Sequence, residues 1–323
     1  MDVVKIVDIY SGNSVTYDEL VQLWFGGFRG IQIKSSMGWG DDVNVQKVFD
    51  WAKRIGFLVG IYHWIDGTNG PDAQIVRFSK WIDTLHPDWV AGDHEQWWAD
   101  WDKYSQWALN KISFNEVPWL SAAVIDHVGF SFMKAIKTLY PKLYVQLYTS
   151  IWFSSCDPGM KNWISVFSGW YADYTKWTGH KQKFLTWDAF DASIQTMQNK
   201  KITLPDGATT CDVEQIGTAE LPGLQGEWDI DIFRGTLDDF KAKLSGTYVP
   251  PIVIPPVPVM KYWVTNLLGT YSRTDPSWNT GKNVKYYAYH ANLDVLTDDN
   301  TWCKLADGTW VARNRVSPKP LML

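Results

Sequence analysis

The sequence predicts an α/β chain, an irregular (β/α)8-type barrel followed by a small all-β barrel domain. Three observations carry this prediction. Short apolar runs alternate with amphipathic helical patterns through roughly the first 245 residues, the length of one such barrel. The stretch "YVPPIVIPPVPVM" (248–260) then places five prolines in a row of apolar residues, which rules out a helix and favours an extended spacer. Beyond it the chain is rich in Val, Tyr and Trp, is punctuated by Asp275-Pro276 and Asp307-Gly308, and shows no helical period. The expected organisation is a first domain over 1–247, a linker over 248–260 and a small β domain over 261–323.

Taken in order, "VVKIVDIY" (3–10) reads as a first strand and "TYDELVQLWFGG" as a helix, with Thr16 and Glu19 at capping-box spacing and glycines at its end. "GIQIKSS" (30–36) is a second strand, followed by the amphipathic "NVQKVFDWAKRIG". "LVGIYHW" (58–64) is a third, followed by "DAQIVRFSKWIDTL". "WVAGDHE" (89–95) is a fourth, with a long helical stretch running to Tyr140. "LYVQLYTS" (143–150), "SGWYADY" (168–174), "TTCDVEQIG" (209–217) and "WDIDIF" (228–233) complete eight strands, the last three with weak or absent intervening helices. A parallel barrel is the expectation.

Composition narrows the function. Hydrophobic residues make up 46% and charged residues 20% of the 323, enough for a large buried core. A net charge of −5 argues against a nucleic-acid partner. Three scattered cysteines, Cys156, Cys211 and Cys303, form neither a disulfide framework nor a metal motif. No 18-residue apolar run predicts a membrane span. The 21 tryptophans exceed what a core needs and tilt toward carbohydrate, whose C–H faces stack on indole.

The acids are placed for chemistry. Asp8 closes the first strand, Asp93 and Glu95 the fourth, with Asp212 and Glu214 in the seventh and Asp229 and Asp231 in the eighth. In a parallel barrel the strand ends converge on one face, so acids distant in sequence meet there. The i, i+2 spacing of Asp93 and Glu95 puts both on one side of a strand, with Cα atoms ~6–7 Å apart. Such a pair titrates in a coupled way and suits glycosidic bond cleavage by a proton donor and an anion. His94 alternates away from them. The bland alternative for all of these is a solvated or structural ion network.

The same residues resemble the glycoside hydrolase family 25 muramidases. "VDIYSGN" is similar to that family's opening strand and carries Asp8; "RIGFLVGIYHW" resembles its glycine–tyrosine–histidine segment, with Tyr62, His63 and Trp64. "GDHE" resembles the strand end that holds the catalytic pair, hence Asp93 and Glu95. "QLYTSIWF" supplies Tyr148 and Trp152, "GWYADY" supplies Trp170 and Tyr174, and "LPGLQGEWDIDIF" supplies Asp229. The chain departs from the family at Met37 in "KSSMG", where the family has a glutamate, at Cys211-Asp212-Val213, and at Asp231, where it has asparagine.

The resemblance implies hydrolysis of the β-1,4 bond between N-acetylmuramic acid and N-acetylglucosamine of bacterial peptidoglycan, without metal or cofactor. It implies Glu95 as general acid, Asp93 as its charge-stabilising or acetamido-orienting partner, and Asp8 and Asp229 as further catalytic-site acids. Tyr62, His63, Trp64, Tyr148, Trp170 and Tyr174 become the expected substrate contacts, with His63 equally readable as a buried support. "LGTYSRTDPSW" and "DDNTWCKLADGTWV" resemble a bacterial Src-homology-3-like wall-binding domain, and the whole arrangement resembles a phage endolysin. With no signal-peptide pattern at the start, the expectation is synthesis in a host cytoplasm and action at the wall after holin-type release, with secretion by another route as the alternative. A zinc amidase lacks its H-E-x-x-H ligands in this sequence; a glycan-binding barrel without catalysis remains the rival reading.

Overall fold

A computed structural model describes residues 3–174, 176–177, 181–245, 260–264, 270–274, 282–287, 292–298, 302–305, 309–312 and 316–318. The chain divides into two compact units, Met1–Ile252 and Val253–Leu323. The division falls inside the proline-rich stretch, whose residues 248–259 lie outside the described ones.

In the first unit the elements run β1 (Val3–Ile9), α1 (Tyr17–Phe25), β2 (Phe28–Met37), β3 (Gly40–Asp41), α2 (Val45–Ile55), β4 (Leu58–Trp64), α3 (Pro71–Leu85) and β5 (Trp89–Asp93). They continue through α4 (Trp101–Ala108), α5 (Ala122–Leu139), β6 (Tyr144–Ser150), α6 (Ile151–Cys156), β7 (Ser168–Ala172), β8 (Lys181–Lys183), α7 (Trp187–Gln198), β9 (Val213–Glu220), β10 (Trp228–Arg234) and α8 (Leu237–Leu244). Local chemistry sets many boundaries. Thr16 and Glu19 form the capping box of α1, and Pro71 opens α3 where no backbone donor is needed. Gly56, at φ 110°, ends α2 in a left-handed conformation that a side chain would resist.

Two expectations change. The helical stretch before Tyr140 is two helices, because Asn110 turns left-handed at φ 56° and Pro118 interrupts the return to α5. Conversely, α7 is a full helix capped by Thr186, where the sequence pattern was weak.

Eight strands close the barrel in the order β1-β2-β4-β5-β6-β7-β9-β10, with β10 pairing back to β1. It is not wholly parallel as expected: β10 runs antiparallel to both β9 and β1. The reason is the short link "LPGLQGE", too brief for a parallel crossover, with Gly223 and Gly226 supplying left-handed turns at φ 76° and 75°. The consequence is positional. The beginning of β10, not its end, reaches the rim where the parallel strands finish, and Asp8 lies opposite Asp229 in register.

Strand alternation builds two apolar layers. Val7, Ile9, Ile31, Ile33, Val59, Ile61 and Val90 join the large layer packed with the helices. Val4, Ile6, Trp89, Val213 and Phe233 belong to a second cluster that includes Phe240 and Leu244 of α8. Helix α8 thus stoppers the barrel interior, with Phe240 5.4 Å from Trp89 and 4.9 Å from Phe233 between ring centroids.

In the second unit, β11 (Met260–Val264), β12 (Thr270–Arg273), β13 (Asn283–Tyr287), β14 (Asn292–Asp298), β15 (Trp302–Leu305), β16 (Trp310–Ala312) and β17 (Val316–Pro318) form one sheet in the order β13-β12-β16-β15-β14-β11-β17. Its pairings among the described residues are all antiparallel. Leu293, Val295, Cys303, Leu305 and Val311 form a buried apolar cluster among the described residues. Among the described residues no helix is long and apolar enough to cross a membrane.

The stopper is a testable part of this fold. Phe240→Ala removes a fully buried ring from the barrel interior and is expected to cost about 3–5 kcal/mol, read by urea unfolding. A loss below about 1 kcal/mol would show that α8 does not close the barrel.

Candidate active site

At the rim where β1, β2, β4, β5, β6 and β7 end, a cavity of about 250 Å³ is lined by Asp8, Tyr10, Lys34, Tyr62, Trp64, Asp93, Glu95, Tyr148, Trp170, Tyr174, Gln215 and Asp229. All four acids expected at the site are there, with five of the six expected aromatic or histidine contacts. The strands explain why. Tyr62 and Trp64 alternate inward from β4, Asp93 from the end of β5, and Tyr148 and Trp170 at paired positions of β6 and β7. β5 stops at Asp93, so Glu95 stands just past the strand, partly open to the mouth, while Asp93 is 6% exposed.

His63 is the exception and corrects the expectation. It is fully buried outside the cavity, with Nδ1 2.8 Å from Ser36 Oγ, Nε2 3.0 Å from Gln74 Oε1, and its ring stacked on Phe132. Alternation along β4 sends it to the face opposite Tyr62 and Trp64. Burial pulls its pKa down to about 3, so it is a neutral structural link among β2, β4 and α3. Asp212 and Glu214 also lie elsewhere. Asp212 accepts from the Tyr144 hydroxyl and pairs with Lys243 at 2.7 Å; Glu214 pairs with Arg234 at 2.7 Å and Lys176 at 3.4 Å.

A hydrogen-bonded chain holds the cavity floor. The hydroxyls of Tyr148 and Tyr174 donate to Gln215 Oε1 at 2.7 and 2.5 Å, and Gln215 Nε2 donates to Asp8 Oδ2 at 2.6 Å. Asp231, completely buried, accepts from Trp170 Nε1 at 2.7 Å. Burial first, then the neighbouring Asp229 and Asp231, hold Asp8 well above the ordinary carboxylate range.

Asp93 and Glu95 are raised as well. Burial and then the charge of Glu95 push Asp93 up, opposed by Lys34. Burial pushes Glu95 to about 7, opposed by Lys34 and assisted by Asp229. Asp229 rises to about 6 through burial and then Glu227. Lys34 is buried, with its ammonium 4.1 Å from the Trp64 ring centre and 6.0 Å from that of Tyr10. One Asp93 oxygen, Oδ1, is buried without any hydrogen-bond partner, a group left for a ligand to satisfy.

The arrangement can therefore present a protonated carboxyl and a partnering carboxylate to a ring held between aromatic walls. Among the described residues no cluster of His, Cys, Asp or Glu is disposed to hold a metal ion. Lys34, Tyr10 and Gln215 were not among the expected site residues. The inward parity of Lys34 with Gln32 in β2 was a readable signal; that of Gln215 depended on where β9 begins.

No protein-family model matches the chain, and no curated protein sequence matches it. Solved structures do. A muramidase from Trichobolus zukalii is similar at 19% identity and a TM-score of 0.52, over 76% of this chain and 100% of that one. The bacterial lysozyme of Streptomyces coelicolor is similar at 16% identity and 0.53, over 76% and 98%. A family 25 glycosyl hydrolase from Bacillus anthracis is similar at 15% and 0.51, over 74% and 92%. At these identities the likeness is one of fold, the mixed barrel described above.

The raised acids have a consequence for stability. The folded chain keeps protons that the unfolded chain releases, so stability present at low pH is lost as pH climbs. For Glu95 the window runs from 4.5 to about 7 and for Asp229 from 3.8 to about 6. Glu95→Gln is expected to melt higher than the parent near about pH 8 and to converge with it near about pH 4, by scanning calorimetry. An equal offset at both pH values would remove the buried-proton account.

Proposed function

We propose that the chain is an N-acetylmuramidase of the endolysin type, cleaving the β-1,4 bond between N-acetylmuramic acid and N-acetylglucosamine in bacterial peptidoglycan. The observation that carries this reading is the Asp93–Glu95 pair, two carboxyls with raised proton affinity in an aromatic-walled cavity at the barrel rim. The muramidase and lysozyme structures that share the barrel support it.

In this reading Glu95, at the open mouth, gives its proton to the leaving glycosidic oxygen. Asp93 is deeper and feels both Glu95 and Lys34. It supports positive charge at the anomeric carbon or orients the 2-acetamido group, for which its unpartnered Oδ1 is a ready acceptor. Asp8 and Asp229 hold the acid network, and Gln215 ties it to Tyr148 and Tyr174. Tyr62, Trp64, Tyr148, Trp170 and Tyr174 supply the walls on which the sugar rests. The chemistry uses side chains alone. The second unit is read as a wall-binding module that raises the local concentration of the barrel at its polymer. Synthesis in a host cytoplasm with holin-type release, or secretion by another route, completes the proposal.

The deciding experiment is digestion of purified peptidoglycan, with products reduced and read by mass spectrometry. Muropeptides ending in reducing N-acetylmuramic acid are expected, with intact stem peptides and no sensitivity to EDTA. Glu95→Gln is expected to lose about 10²-fold or more. Wall binding without cleavage by the parent chain would sink the proposal in favour of a glycan-binding barrel.

The pH profile gives a second test. Activity is expected to fall as pH rises past about 7, where Glu95 surrenders its proton. Lys34 holds that pKa down, so Lys34→Met is expected to move the alkaline limb to higher pH. A limb that stays in place, or moves down, would remove Lys34 from the electrostatics of Glu95.

A further inference from the structure

Trp39 is 52% exposed, an unusual position for the largest apolar side chain. It sits at the tip of a hairpin in which Ser36 pairs with Asp41 and Met37 with Gly40, leaving only Gly38 and Trp39 in the turn. The hairpin is firmly braced. Asp41 accepts from Arg77 at 3.2 Å and from the Trp81 indole at 3.0 Å, both on α3. Asp42 accepts from the backbone of Ser11 at 2.8 Å, on the other side. Gly38 lies so close to Asp66 that an added Cβ would stand 2.2 Å from its side chain. The turn is held rigid, and what it presents is an open indole.

That indole is continuous with the cavity. Trp39 meets Trp101 edge to face at 4.7 Å, and Trp101 meets Trp64, a cavity-lining residue, at 5.6 Å. The run is not simply core. Trp64 and Trp101 each bury an indole N–H that has no acceptor. A cluster selected for stability alone would satisfy them. Rigid aromatic presentation lowers the entropy lost on binding, and pyranose rings stack their C–H faces on indole.

We infer that Trp39, backed by Trp101 and Trp64, is an outer platform that holds a further sugar of an unbranched β-1,4-linked amino-sugar strand, beyond those flanking the bond to be cut. This deepens the muramidase reading and rests on it for the identity of the polymer. The platform makes the enzyme favour strands long enough to occupy it and the cavity together.

The test uses the full chain and peptide-free peptidoglycan glycan strands, comparing a tetrasaccharide with long strands. Trp39→Ala is expected to lower the ratio of kcat/KM for long strands over the tetrasaccharide about five- to tenfold, carried by KM, with Trp39→Phe recovering most of it. In parallel, long-strand binding by Glu95→Gln is expected to weaken by the same factor when Trp39→Ala is added. Cleavage by the parent chain with the ratio and the binding unmoved by Trp39→Ala overturns the platform and leaves the muramidase reading intact. No cleavage by the parent overturns that reading instead, and the binding comparison alone then decides whether Trp39 holds glycan.

Discussion

Burying like charges together is what the rest of the first unit has to accommodate. Asp8, Asp93, Glu95, Asp229 and Asp231 all have their proton affinity raised, first by burial and in most cases by one another. Lys34 is the cation that lines the same cavity. Such a group cannot ionise fully, so protons stay within it at pH values where free carboxyls have lost theirs. That retained proton is the useful product of an otherwise unfavourable arrangement, because it leaves an acid ready to donate near neutrality. The Gln215 amide donates to Asp8 and the Trp170 indole to Asp231, which fixes one accepting oxygen on each of these acids.

Only a closed barrel with one strand reversed delivers this geometry. Asp8 and Asp229 are opposite one another because β10 returns antiparallel beside β1. Had the link after β9 been long enough for a helix, β10 would run with its neighbours, and the early Asp229 would fall toward the rim that α8 occupies. Two turn glycines in a surface link thus decide whether an acid reaches the site. Phe240 and Leu244 of α8 share an apolar cluster with the cavity-lining Tyr62, Tyr148 and Trp170, and burial is the largest cause at every raised acid of the rim.

Much of this was legible in the sequence, for reasons that can be named. Period-two alternation in "LVGIYHW" assigns Tyr62 and Trp64 to one face and His63 to the other, as the cavity and the Ser36–His63–Gln74 link both display. The family resemblance drew His63 toward the substrate, and alternation should have outweighed it. The same rule applied to β2 points Lys34 inward with Gln32, but a lysine in a strand reads as surface when its neighbours across the barrel are unknown. Gln215, Asp212 and Glu214 were harder. β9 begins at Val213, four residues after Thr209, where the sequence pattern starts the strand, and an error in a strand's start moves its side chains along the wall. The reversal of β10 was readable from the brevity of "LPGLQGE", yet a motif match to a barrel obscured it.

The short segment "GDHE" shows how one strand end serves both faces. Asp93 and Glu95 turn to the cavity while His94 turns to the helical layer, where its Nε2 lies 3.2 Å from the fully buried Asp157. Phe153 and Trp163 flank the ring, and Gly129 leaves it room that a methyl group would fill at 2.4 Å. The His94 backbone N–H donates to the carbonyl of Tyr148 at 2.9 Å, extending the ladder one step past the last residue of β5. Without that anchor, Glu95 would sit on a free loop and could swing away from the charge of Asp93. With it, the chain just beyond the strand keeps strand-like direction, so two mutually repelling carboxyls are held on the same side. The outward histidine therefore does for position what burial does for proton affinity, and neither alone would keep a protonated Glu95 at the mouth of the cavity.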